Sequence, residues 1–417
     1  MTIKYPLYIH SLFRNRHSDQ NSKTLKSATH NLRLVMAESS VTAGLLAIPI
    51  MTPFFNSIGL TQEQIAETQM IFTVIMLLLN LPMGYLTDRI SRKWANVIGD
   101  FMQALILLAY SYVGSFWGAV VCECLFGLSS ALTSGVDQTL LHHFTTKIAK
   151  ETQKSPAKLF KQKNAKLEEI RQICNFILLA LGGPIGAISL RLAIAASGIT
   201  CLIGGAISLF IKDDSEKLVP VHQNPIKDLR RVIKQAMQNA PLRVRILTYA
   251  VGREMTHGII WAATPLFLSA GVPIEIVSFA WAGNAIMAVI GTRLARKHTS
   301  QLSDAKTLAF PTILMTISML TIGINNNIFT IWLYGLMGIV QGWTAATLNP
   351  MVQKHAKPSE QTSILSFTKT ISGLLYIPTI WAIGFMSDIK LEYATLTTVA
   401  IFLPLSLICI QKLKKYA

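Results

Sequence analysis

Arg253, Glu254 and His257 sit within five positions of one another in the stretch YAVGREMTHGIIWA (249–262), inside a long apolar run. Charged groups are costly away from water, so each needs a partner or a task. An arginine stays protonated even when buried, so Arg253 must meet an anion from the protein or from a ligand. A histidine takes up and releases a proton near neutral pH. Helical spacing i, i+4, i+8 puts Arg253, His257 and Trp261 on one face. Glu254 is turned by about 100° toward a neighbour. Chemistry of this kind is recognition of a charged solute or proton movement. The plainer readings stay open: Glu254 as an ion-pair partner of Arg253 or Lys369, His257 as a hydrogen-bonded core residue, and Trp261 as packing.

The elements that position these groups are apolar. The chain has 417 residues, 51% hydrophobic and only 14% charged, where a soluble protein carries roughly a quarter charged. The apolar residues fall into runs of a length that spans a bilayer as a helix. There are twelve runs: 34–56, 66–87, 95–113, 116–142, 169–189, 192–211, 244–269, 276–295, 307–324, 328–352, 362–387 and 393–411. This is the pattern of an all-α, multi-pass integral membrane protein with twelve transmembrane helices.

The formal net charge is +17, from 38 Lys and Arg against 21 Asp and Glu. With the N-terminus inside, all but four of the basic residues fall at cytoplasmic segments or their edges. Arg191 and Lys390 fall outside; Arg253 and Lys369 fall within helices. The positive-inside rule then places both termini in the cytoplasm. The basic excess reports topology and contact with the anionic lipid bilayer, and no nucleic acid partner is expected. Residues 1–33 are polar and basic, without the apolar core of a cleavable signal. Cys122 and Cys124 are two apart and point to different sides of a helix, a poor metal pair. No metal, no cofactor and no enzyme chemistry are expected, and no phosphate loop of the GxxxxGK[ST] type occurs.

Six runs precede a polar segment at 212–243 and six follow it. The division expected is a cytoplasmic segment 1–33, a six-helix bundle 34–211, a linker 212–243, a second six-helix bundle 244–411 and a tail 412–417. The segment 80–100 aligns with 284–304 at an offset of 204, with Asn80, Met83, Arg89, Arg92, Lys93 and Asp100 meeting Asn284, Met287, Arg293, Arg296, Lys297 and Asp304. Two pseudo-symmetric bundles are a recurrent transporter architecture. In the linker, Asn224 and Pro225 open an amphipathic helix expected to lie on the inner membrane surface. Segment 155–171 is expected to run into the fifth helix.

The residues GYLTDRISRK (84–93) resemble the signature loop of the major facilitator superfamily, Gly-x-x-x-Asp-Arg-x-Gly-Arg-Arg/Lys. Gly84, Asp88, Arg89, Arg92 and Lys93 match. Ser91 stands where the family usually has Gly, and Ser tolerates a positive φ less well. Residues 127–143, 349–367 and 384–388 are similar to an efflux-type branch. The arginine that many proton antiporters of the family carry in helix 4 is replaced by Glu123, and LGGPIGA (181–187) is only a fragment of their helix 5 motif. The resemblance implies that Asp88 sits at the N-terminus of helix 11, and that Arg89 or Arg92 pairs with Asp137 as an inner latch.

In that fold helices 1, 4, 7 and 10 line a central cavity. Arg253 then lies roughly 14 Å deep, Glu123 roughly 11 Å from the outer side and Lys369 roughly 11 Å from the inner side, by helical rise. Glu38 lies a turn or two into helix 1; helix 10 offers Gln341, Trp343 and Asn349. The candidate substrate and coupling residues are Arg253, His257, Trp261, Glu123, Lys369, Gln341, Glu38 and Asn349. Glu123 is the foremost proton carrier, since a carboxyl shielded from water holds a proton more readily. The expectation is a monomeric, proton-coupled secondary transporter of a small organic solute in a bacterial inner membrane, working by alternating access, with efflux favoured. Uptake of an anionic or zwitterionic metabolite or siderophore is the alternative. A non-transporting membrane sensor or scaffold is the alternative of another class.

Overall fold

The structure, a computed structural model, describes residues 7–44, 46–212, 233–234, 238–298, 302–356 and 361–416. Among them all regular structure is helical. The α-helices are α1 (Leu7–Val41), α2 (Ile48–Ser57), α3 (Gln62–Ile90), α4 (Arg92–Tyr110), α5 (Phe116–Thr133), α6 (Val136–Glu151), α7 (Pro156–Ile188) and α8 (Leu190–Leu209). They continue with α9 (Ala240–His257), α10 (Ile260–Ser269), α11 (Ile274–His298), α12 (Asp304–Ile324), α13 (Gly335–Gln353), α14 (Gln361–Ile389) and α15 (Tyr393–Lys415). Seven stretches are each long and apolar enough to cross a membrane, among them Leu190–Leu209, Asp304–Ile324 and Tyr393–Lys415. The whole set fits twelve spans.

Three spans are broken: the first into α1 and α2, the fourth into α5 and α6, the seventh into α9 and α10. The sequence reads each as one run because apolarity continues through the break. The causes are local. The first break takes in 42–44 and 46–47 and leads into Pro49 in the first turn of α2. The fourth falls at Gly135, with φ +77°. The seventh falls at Gly258–Ile259, just before the helix that carries Pro265. The first span also starts far ahead of residue 34, because no Gly or Pro interrupts the chain from Leu7 to Val41. Pro156–Ile188 forms one continuous helix, as expected for a segment running into the fifth span. The linker helix at 224–238 lies almost wholly outside the described residues.

The spans group into two bundles, α1–α8 and α9–α15. Within the first, α4 packs on α8 and α3 on α5; within the second, α11 packs on α13 and α12 on α15. Between them, α3 meets α14, α7 meets α11 and α2 meets α10. The end at which α8 stops, α9 starts and α15 stops is the terminal end, and the opposite one the distal end.

The bundles repeat in a different register from the one the sequence suggests. α2 and α10 start at 48 and 260, α3 and α11 at 62 and 274, α4 and α12 at 92 and 304, always 212 residues apart. The alignment at 204 is overturned: Arg92 and Lys93 open α4, whereas Arg296 and Lys297 sit in the last turn of α11. At 212, Ile48, Thr52, Pro53, Phe55, Ser57 and Gly59 meet Ile260, Thr264, Pro265, Phe267, Ser269 and Gly271. The local geometry repeats as well. Gly59 and Gly271 have φ +85° and +87°, and the N–H groups of Leu60 and Val272 donate to Phe55 and Phe267, each closing its helix with a left-handed glycine.

Candidate functional site

A cavity of about 340 Å³ lies where α9, α13 and α14 converge, on the terminal side of the break in span 7. α9 contributes Tyr249, Arg253, Thr256 and His257; α13 contributes Gln341 and Asn349; α14 contributes Lys369. Five of the eight candidate residues meet here: Arg253, His257, Gln341, Asn349 and Lys369. The volume is at the small end of the range for small-molecule sites, roughly 300–1,000 Å³.

Glu254 organises this wall from behind. It is 4% exposed and accepts a hydrogen bond from the Ser372 hydroxyl on α14. Its carboxylate lies 3.5 Å from Nε of Arg253 and 3.7 Å from Nδ1 of His257. The turn of about 100° that the helix imposes therefore sends Glu254 into the α9–α14 contact, while Arg253 and His257 face the cavity. Nδ1 of His257 donates to the Arg253 carbonyl at 2.9 Å. In the neutral ring that leaves Nε2 as an acceptor. The Asn349 Oδ1 is buried with no hydrogen-bond partner among the described residues.

Trp261 does not share this cavity. The break at Gly258 ends the regular spacing, so the i, i+8 relation to Arg253 is lost. Its indole N–H donates to the Tyr376 hydroxyl at 3.2 Å, and its ring packs on the core of the first bundle. Trp343 points away too, donating to the Thr307 carbonyl at 2.9 Å with its ring 4.3 Å from that of Phe310.

At the distal end the two bundles are sewn together. Proline has no N–H, so a proline inside a helix leaves the carbonyl four residues earlier without its partner. Pro53 frees the Pro49 carbonyl and Pro265 frees the Trp261 carbonyl. The Thr264 hydroxyl donates to Pro49 at 2.8 Å, and the Thr52 hydroxyl donates to Trp261 at 2.9 Å. Thr52 and Thr264 are 3% and 2% exposed, so the pairing is dry. Each repeat fills the other's vacancy, as in a two-fold interface. Nearby, both oxygens of Asp388 on α14 accept backbone N–H groups at the start of α3, from Gln62 at 2.7 Å and Glu63 at 2.9 Å. A carboxylate at a helix N-terminus is favourable.

The Major Facilitator Superfamily model matches residues 36–379, most of the chain. This chain belongs to that family. A comparison with curated protein sequences found no match. Among solved structures, a point mutant of the nucleoside transporter NupG is similar, with TM-score 0.74 at 12% identity, covering 94% of this chain and 99% of that one. A bacterial homologue of the human lysosomal transporter Spinster, inward-facing and unoccupied, gives TM-score 0.71 at 11% identity, covering 93% and 98%. A D-xylose–proton symporter gives TM-score 0.66 at 11% identity, covering 91% and 96%. At these identities the likeness is one of fold. The family assignment fits a transporter rather than an enzyme.

The superfamily loop can be placed only in part. The side chains of Gly84, Asp88 and Arg89 lie outside the described residues. Ser91 joins α3 to α4 at φ +101°, a conformation that glycine adopts freely and serine does not. Arg92 and Lys93 open α4, and the Lys93 ammonium donates to the Leu209 carbonyl at 2.7 Å. Asp137 is paired with Arg171 of α7 at 2.6 Å, and accepts from Asn96 at 3.4 Å. Sequence reasoning missed Arg171, whose place in the polar start of α7 gave no sign of a partner. Arg171 Nε also donates to the Ser39 carbonyl at 3.0 Å, which ties α1 to this pair.

Glu38 and Glu123 lie in the first bundle, apart from the cavity. Glu38 is three residues from the end of α1, beside the break, because α1 begins so early. It is 2% exposed, accepts from Ser39 at 3.2 Å, and lies in electrostatic range of Asp100, Asp137 and Arg171. Glu254 holds the matching place, three residues from the end of α9. Glu123 Oε1 accepts from the Tyr110 hydroxyl at 2.8 Å and from Gln69 at 2.9 Å. Tyr376 of the second bundle lies in electrostatic range of both Glu123 and Glu254.

Proposed function

We propose that this protein is a proton-coupled secondary transporter that carries a small organic solute by alternating access around the α9–α13–α14 cavity. The observation that carries the reading is the combination of that cavity with a dry, reciprocal seal on its distal side. The hydrogen bonds between the bundles at Thr52, Thr264 and Asp388 lie beyond the cavity, toward the distal end. The positive-inside pattern assigns the terminal end to the cytoplasm. The structure then corresponds to a state closed on the outside, and opening of this seal is the outward step of the cycle.

Glu123 is the coupling group in this reading. Its hydrogen-bond partners are a hydroxyl and an amide, and no cation pairs with it among the described residues. A carboxyl without a fixed counter-charge gains most from a proton. Tyr376 lies in electrostatic range of both Glu123 and Glu254, and Glu254 holds Arg253 and His257, so a change at Glu123 is coupled to the cavity by charge. Arg92, Lys93 and Asp137, with Gly84, Asp88 and Arg89, form the inner latch region of the cycle.

Export is the direction favoured by the likeness of 127–143, 349–367 and 384–388 to efflux-type members. Uptake of an anionic or zwitterionic solute is the second reading, favoured by the two cations in the cavity. Solute flux in proteoliposomes under imposed pH gradients of either sign tests this. The gradient should set both rate and direction; flux indifferent to pH gradient and membrane potential would remove the coupling, and no flux for any solute would remove the transporter.

A further inference from the structure

We infer that the cavity selects an organic monoanion, a monocarboxylate being the plain case, held between Arg253 and Lys369 with a hydrogen-bond donor turned to Asn349. The inference rests on the transport reading of this cavity and narrows its solute.

The argument is one of charge and unmet hydrogen bonds. Arg253 and Lys369, both basic, line the same cavity. Glu254 offsets one of these charges, and its carboxylate is held by Ser372 in the contact behind the wall. Lys369 has no ion pair among the described residues. The wall therefore presents one uncompensated positive charge in a partly dehydrated space. A monoanion neutralises it; a dianion would overshoot and a cation would add to the repulsion. The Arg253 side chain is 41% exposed; its Nε faces Glu254 and its Nη1 donates to the Tyr249 hydroxyl at 3.4 Å, which leaves the outer N–H groups of the guanidinium for a carboxylate.

The rest of the wall defines the other end of the solute. Asn349 lines the cavity, and its Oδ1, buried behind the cavity surface, has no donor among the described residues; a turn of the amide presents it to the solute. An unmet buried acceptor is costly, and a ligand hydroxyl or N–H aimed at it removes that cost. When the His257 ring is neutral, its Nε2 is a second acceptor, since Nδ1 donates to the Arg253 carbonyl. A small hydroxy- or amino-substituted monocarboxylate meets all three demands: anion at Arg253 and Lys369, donor at Asn349, and a size that fits about 340 Å³.

The test is binding to the purified full chain, read by thermal shift and by competition, with no need for flux. The probes are lactate, benzoate and 3-hydroxybenzoate, their amides, the matching amines, and inorganic phosphate. The expected result is that the carboxylates bind roughly ten-fold or more tighter than their amides, as loss of a charged hydrogen bond implies. 3-Hydroxybenzoate should exceed benzoate. Lys369→Gln should abolish the preference for carboxylate over amide, and Lys369→Arg should keep it. Asn349→Leu should remove the advantage of the hydroxyl alone. Amides, amines or phosphate binding as well as the carboxylates would overturn the inference, as would a carboxylate preference that survives Lys369→Gln, or no binding by any carboxylate. Carboxylate binding without flux would instead overturn the transport reading, so the two failures are distinct.

Discussion

Thr52 and Thr264 stand 212 residues apart and each satisfies the carbonyl that the other repeat's proline has left open. The threonine that precedes proline in one half reaches the turn above proline in the other, at 2.9 and 2.8 Å. In a membrane span, a carbonyl freed by proline must find a donor from protein. Here the donor comes from the opposite bundle, so completing the backbone of one half requires the other half to be in place.

Thr52→Val and Thr264→Val should therefore both weaken the closed distal end, Thr264→Val more, because the Thr264 hydroxyl also accepts the Trp281 indole N–H at 3.0 Å. Each leaves one buried carbonyl without its threonine donor, at a cost of about 1–3 kcal/mol, and Thr264→Val leaves the Trp281 N–H without its acceptor as well. A cysteine at Ala263, which is 0% exposed, should become labelled by a water-soluble maleimide roughly 5- to 150-fold faster in either variant. No rise in either variant would show that the pairing is incidental.

Asp388→Ala should act on the same closure from another side. It removes the carboxylate from the N-terminus of α3, where it accepts two N–H groups. The expected loss is about 1–2 kcal/mol, since the Thr61 cap and its partner Gln64 remain. The labelling rate at Ala263→Cys should rise here as well, while Asp388→Glu should recover part of the loss.

Ser91→Gly should stabilise the protein by about 1 kcal/mol. The position has φ +101°, which a side chain tolerates poorly and glycine adopts freely. Denaturation monitored by tryptophan fluorescence would register the gain. A loss of stability would mean that the serine side chain contributes more than its backbone costs.

Arg245→Met should be among the most damaging single changes. Arg245 is 3% exposed and holds Asp304 at 2.7 Å, with further bonds to the carbonyls of Pro241 and Tyr416. Removing one partner of a buried pair costs about 3–5 kcal/mol, at the lower end here because Asp304 is 28% exposed. Lower yield and a lower melting temperature are the expected signs.

Glu123→Gln should separate transport from coupling. The amide keeps the size of the side chain and its bond from Tyr110, but cannot exchange a proton. Solute exchange at equal concentration should persist, while accumulation driven by a pH gradient should fall to the passive level. Accumulation that survives the substitution would move the coupling proton elsewhere, Glu38, Asp100 and Glu254 being the other buried carboxyls among the described residues.

Much of the fold is legible in the sequence because hydropathy is a strong, continuous signal. The twelve runs and the running of 155–171 into the fifth span follow from it; the boundary expected around Arg191 falls at Ser189, with Arg191 in the first turn of α8. The breaks in spans 1, 4 and 7 are not legible that way, since a glycine or proline inside an apolar run leaves hydropathy unchanged. Missing them cost two placements, Trp261 on the cavity face and Glu38 near an entrance. The internal repeat was visible but read in the wrong register. Basic loops at one membrane face resemble each other through shared composition, which favoured 204. The Thr-Pro-x-Phe-x-Ser-x-Gly pattern at 52–59 and 264–271, lying in helix and turn, carries the register of 212. Arg253, His257, Gln341, Asn349 and Lys369 were all legible as polar exceptions in apolar spans. Their convergence needed the packing of α9, α13 and α14.

The central claim is that the distal seal opens and closes around the cavity. Its most direct test is the distance between spin labels at the exposed equivalent positions Ser57 and Ser269, measured by pulsed electron resonance in lipid bilayers. The account predicts a dominant short distance in the wild-type chain, with a second, longer population that grows in Thr52→Val/Thr264→Val. A single short distance, unchanged in that variant and under a pH gradient that drives solute flux, would contradict it.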